Sequence, residues 1–151
     1  MKTVKIVAFA LLALCASFGS PLLSSGQSAG TDELFIVRST TKTPDAVVDA
    51  VKKYSEEKKW QYLGANKVKQ GQVILVKICI PEVGQQIWPV GLNLSAMLPC
   101  GNIGVYQKND TTEISLLHPR YMYVLYPDPK IEKASAIAEP LLMDMLDTVA
   151  K

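Results

Sequence analysis

Apolar residues recur along this chain with two different periods, and the points where one period gives way to the other mark a succession of short strands and helices. Leu34-Phe35-Ile36-Val37, bounded by polar residues, predicts a first strand. Thr43-Pro44-Asp45 opens a helix, because threonine can cap and proline is tolerated at the first helical position. Val47, Val51 and Tyr54 then recur at i, i+4 and i+7 as one apolar stripe, and the helix is expected to end near Lys59. Trp60 to Lys69 predicts a second strand, with Gln70-Gly71 as the hairpin turn into the strongest strand of the chain, Gln72 to Ile80. In that strand Ile74, Val76, Ile78 and Ile80 share the expected core face, while Val73, Leu75, Lys77 and Cys79 share the other.

Pro81 stops the third strand, and a short helix runs through Gln85-Gln86 until Pro89. Asn102 to Gln107 predicts a fourth strand, with Ile103 and Val105 on one face and Asn102, Gly104 and Tyr106 on the other. Asn109-Asp110 turns the chain into Thr112 to Leu117, which points Ile114 and Leu116 inward. After the stop at Tyr126-Pro127-Asp128-Pro129, Ile131, Ala134, Ala138, Leu141, Met145 and Val149 follow helical spacing, and Pro140 is expected to kink or split that helix. Helices bracketing successive hairpins predict an α+β fold: a mainly antiparallel sheet of about five strands with its helices mostly on one face.

The N-terminus adds a compartment. Lys2 and Lys5 precede the unbroken apolar run Ile6 to Ala16, and Ser17-Phe18-Gly19-Ser20 supplies small residues beyond it, the order of a cleavable secretory signal peptide over residues 1–19. The run would span only about half of a ~30 Å hydrocarbon core at ~1.5 Å per residue, so stable membrane insertion of the mature chain is not expected. Leu14 before Cys15 is too bulky for a lipoprotein signal, and Cys15 is expected to leave with the leader. Residues 20–30, rich in Ser, Gly, Ala and Gln, read as a flexible lead-in to a single domain over residues 31–151.

Charge removes one class of function. The formal charge of +2 comes from 16 Lys+Arg against 14 Asp+Glu, and loss of Lys2 and Lys5 leaves 14 against 14. A near-neutral chain without clustered bases offers no footprint for nucleic acid, because Lys52-Lys53 and Lys58-Lys59 alternate with Glu56-Glu57 as a solvated helix face.

Candidate chemistry centres on Cys79 and Cys100, each beside a proline, Pro81 and Pro99. Strand parity turns both thiols toward the face opposite Ile74, Val76, Ile103 and Val105. Three readings stay open: a disulfide, two packed free thiols, or a redox-active or ligand-binding pair, the last without Cys-x-x-Cys spacing or a fixed positive neighbour. Gly104 adds to that face, since a glycine inside a strand often marks close approach by another backbone or a ligand. With Val73, Leu75 and Tyr106 it forms a partly apolar surface suited to a homodimer interface or a binding groove.

His118 is the only histidine, so no multi-histidine metal site exists in the chain, and its parity with Ile114 and Leu116 makes it a packed or turn-capping residue. No Gly-rich phosphate loop, Gly-x-Ser-x-Gly elbow or His-Glu-x-x-His run occurs, so no catalytic residue, cofactor or ligand is named. Asn93-Leu94-Ser95 and Asn109-Asp110-Thr111 fit the glycan acceptor pattern, and Trp88, Tyr121, Tyr123 and Tyr126 are read as core rather than as a ligand platform.

The run Cys79-Ile80-Pro81, a short helix, Met97-Leu98-Pro99-Cys100 and the strand Ile103-Gly104-Val105-Tyr106 resembles the domain-of-unknown-function family 302, whose pattern is Cys-Asn-Pro, a helical stretch, apolar-Pro-Cys and a strand. His118-Pro119-Arg120-Tyr121-Met122 is similar to the family's Asn-Pro-x-x-Met segment, and the likeness extends over roughly Leu34 to Val149. Ile80 replaces the usual Asn, and His118 stands where Asn is common. The resemblance implies a small α+β domain, often exported, without an assigned activity. The reading from sequence is therefore an exported, non-enzymatic binding or accessory domain, with thiol-based redox or metal or haem handling by Cys79 and Cys100 as the alternative.

Overall fold

The computed structural model describes residues 34–97 and 102–151. Five strands form one antiparallel sheet: β1 (Phe35–Thr40), β2 (Gln61–Val68), β3 (Val73–Cys79), β4 (Ile103–Lys108) and β5 (Thr111–Leu117), ordered β1-β5-β4-β3-β2. Helix α1 (Pro44–Glu57) carries the chain from one sheet edge to the other. It begins where the sequence predicts, with the Thr43 hydroxyl accepting a hydrogen bond from the Ala46 N–H and Pro44 opening the first turn. Val47, Val51 and Tyr54 are its buried stripe.

Helices α2 (Pro81–Ile87), α3 (Tyr121–Leu125) and α4 (Pro129–Ala150) complete the domain. The core lies between the sheet and the helices: Ile36, Ile74, Val76, Ile78, Ile103, Val105, Ile114 and Leu116 from the strands meet Val47, Val51, Val83, Ile87, Ile131, Ala134, Ala138, Leu142, Met145 and Val149 from the helices. Removing this apolar surface from water, at roughly 25 cal/mol per Å², is the main term that holds the layers together. Tyr54 and Trp60 stack edge to face at 5.4 Å within it, and the Tyr54 phenol donates a 2.6 Å hydrogen bond to Asp144 of α4.

Several expectations need correction. The β2–β3 connection is a left-handed turn over Lys69–Gly71 rather than a two-residue hairpin turn. Lys69, Gln70 and Gly71 all have positive φ, and at +86° Gly71 adopts a conformation that suits glycine. Pro140 does not split α4, which runs for 22 residues. The proline and Ala136, the residue whose carbonyl loses its partner, both lie on the exposed side, where water can satisfy that oxygen. Residue 142, not 141, carries the fully buried leucine of the α4 stripe. Helix α3 was not expected, and it changes the fate of the aromatics: Trp88, Tyr123 and Tyr126 are exposed and Tyr121 is half-buried, so none belongs to the core. No helix among the described residues is long and apolar enough to cross a membrane.

Candidate functional site: the open face of the sheet

Strand alternation gives the sheet a second face, and no helix among the described residues covers it. Register assembles its rows: Val37, Ser115, Gly104, Leu75 and Asn66 lie side by side across the five strands, and Ser39, Glu113, Tyr106, Val73 and Val68 form the next row. Phe35 and Val37 on the edge strand β1 are 44% and 40% exposed, and Val68 on the opposite edge is exposed too. Apolar β-branched and aromatic side chains on such a face gain from cross-strand contacts but leave much of their surface in water.

A groove of about 680 Å³ is cut into this face, lined by residues 35–38 of β1 together with Tyr106, Lys108, Glu113 and Ser115. It exists because the middle of the face carries small residues. Gly104 lies opposite Ser115 across the β4–β5 pair, and a Cβ at position 104 would come within 3.0 Å of the Ser115 Oγ. Glycine thus leaves the face low between Ser115 and Leu75.

One end of the groove is polar. The β4–β5 register sets Tyr106 against Glu113, and the Tyr106 phenol donates a 2.7 Å hydrogen bond to Glu113 Oε2. Lys108 Nζ lies 2.7 Å from Glu113 Oε1, with the carboxylate side chain only 12% exposed. Both carboxylate oxygens therefore have a donor. Lys108, and after it the Tyr106 phenol, hold the Glu113 carboxyl below the usual carboxylate range. The same contacts push the Lys108 ammonium and the Tyr106 phenol above their ordinary values, the phenol chiefly through its bond to Glu113 and then through burial.

Of the residues singled out from sequence, Cys79, Gly104 and Tyr106 share the open face, but only Tyr106 lines the groove. Cys79 lies at the far end of β3, opposite Gln61, half-buried, and burial raises its thiol above the ordinary range. Pro81 opens α2 and is not part of the face. Pro99 and Cys100 lie outside the described residues, and with them the Cys79/Cys100 face expected from strand parity. Glu113, Lys108 and Ser115 were not singled out. The signal was present, since the alternation that turns Ile114 and Leu116 inward turns Glu113 and Ser115 outward. His118 accepts a 3.3 Å hydrogen bond at Nδ1 from the Arg120 N–H in the turn before α3, with Glu139 3.7 Å from its Nε2. Among the described residues no three His, Cys, Asp or Glu side chains converge as metal ligands.

The family described as "Domain of unknown function DUF302" matches residues 35–149. The chain belongs to this family. A crystal structure of an uncharacterized conserved DUF302 protein from Bacillus stearothermophilus superimposes with a TM-score of 0.68 at 18% identity, covering 78% of this chain and 98% of that one. At that identity the likeness concerns the DUF302 fold alone. No curated protein matches the chain.

Proposed function

We propose that this DUF302 chain is an exported, non-enzymatic binding domain whose working surface is the open sheet face around the Tyr106–Glu113 groove. The observation that carries this reading is the pair of uncovered apolar side chains Phe35 and Val37 beside a groove with a satisfied polar end. Exposed apolar side chains grouped on one sheet face mostly mark a docking site. The export component rests on the leader pattern of residues 1–19. The thiol-redox alternative draws no support from Cys79, because a thiol raised by burial is a poor nucleophile at neutral pH.

The test is site-specific photocrosslinking in a cell that exports the full chain. A photoreactive phenylalanine at Val37, on the open face, is expected to give a discrete adduct, whereas the same group at the exposed Lys53 of α1 gives none. Equal absence of adducts at both positions would overturn the reading.

A further inference from the structure

We infer that the occupant of the open face is a second copy of this chain, the two sheets stacked face to face; this rests on the reading of that face as the binding surface. Size is the first argument. Five strands at about 4.8 Å spacing and six residues at about 3.4 Å each give a footprint of roughly 500 Å² in projection. The corrugated surfaces of two such faces together bury on the order of 1,000–1,500 Å², which reaches the range of specific interfaces.

Charge is the second argument. The Glu113 carboxylate already has Lys108 and Tyr106 on its two oxygens, so burying it leaves no uncompensated anion. Arg38, which also lines the groove, is paired with Asp147, and Lys77, one alternation beyond Leu75 on β3, is the remaining ionised side chain and is exposed. A surface so nearly neutral does not select a strongly charged partner and does not repel its own copy.

Relief is the third. Phe35 and Val37 form an apolar margin along β1, next to a trough over Ser115 where the facing Gly104 adds no side chain. In a twofold contact residue i meets residue j while j meets i, so each margin can enter the other copy's trough. Aligned sheet packing at about 10 Å accommodates this with a modest rotation between strand directions.

Sedimentation velocity on the chain purified as the cell exports it tests the inference. The mass is expected to move from one chain to two as concentration rises from the micromolar to the high micromolar range. Val37→Glu, which enters a symmetric contact twice, is expected to weaken association about a hundredfold or more. Gly104→Val, which fills the trough, is expected to do the same. Phe35→Lys, at an exposed edge position, serves if either variant melts abnormally, and Lys53→Glu on α1 is expected to associate as the parent does. A single-chain mass at every concentration overturns the inference, and so does association that ignores both Val37→Glu and Phe35→Lys. If the Val37 crosslink joins a different protein, or residues 20–33 of the same chain, the second copy is excluded while the open face remains a binding surface; if no adduct forms, that reading falls as well.

Discussion

Tyr106 and Glu113 sit opposite one another on neighbouring strands, and the phenol of the first reaches the carboxylate of the second at 2.7 Å. With Lys108 on the other oxygen, this carboxylate is held ionised more firmly in the folded chain than in the unfolded one. A depressed carboxyl contributes stability that is present above its unfolded value, about 4.3 for glutamate, and is lost as pH falls through its folded value. Glu113→Gln is therefore expected to melt below the parent at pH 7, and the two melting curves are expected to converge as the pH is taken below 4. A constant gap in melting temperature across that range contradicts the assignment.

Tyr54 makes the alkaline counterpart. Burial first, and then the Asp144 carboxylate, push its phenol well above the ordinary tyrosine range. The folded chain then keeps a proton that the unfolded chain releases near pH 10, so the stability this phenol contributes is present below pH 10 and is lost above it. Urea titrations are expected to record a decline in stability from pH 9 to 11 that is shallower in Tyr54→Phe than in the parent.

Cys79 should react slowly. Its half-buried thiol ionises above the ordinary range, so under reducing conditions iodoacetamide is expected to modify it several-fold more slowly in the native chain than in urea at pH 7.5. Peptide mapping that finds Cys79 alkylated as fast as in the unfolded chain would place it in a more open setting.

Pro140 interrupts the hydrogen-bond ladder of α4 from an exposed position, with Ala136 exposed one turn before it. Pro140→Ala restores an N–H for the Ala136 carbonyl and removes a ring that a helix interior accommodates poorly. A gain of about 1–3 kcal/mol in urea unfolding is expected.

Much of this architecture was legible in the residues, and the reason is period. The alternation through Ile74, Val76, Ile78 and Ile80 allows one assignment of faces, and Thr43-Pro44 marks a helix start that local chemistry alone specifies. Helix α3 was hidden because Tyr121–Leu125 is too short to display a period and its exposed Val124 and Leu125 imitate an apolar strand. Tyr123 and Tyr126 were misread for a related reason: size and apolarity set a preference for burial, but packing decides which aromatic is covered, and here Tyr54 and Trp60 fill that space. The groove trio was partly legible. Pairing across the Asn109-Asp110 turn sets Tyr106 against Glu113, yet the union of phenol, carboxylate and ammonium depends on side-chain reach, which no spacing rule encodes.

The strand order has a kinetic corollary. β1 pairs with β5 alone, and the Phe35–Leu117 partnership joins residues 82 positions apart (117 − 35). Whichever way the polypeptide emerges, from a ribosome or through a pore N-terminus first, its earliest strand must wait for its last before it finds a neighbour. Long-range closure of this kind slows assembly, and for that interval Phe35, Ile36 and Val37 remain available to any chaperone that recognises short apolar segments.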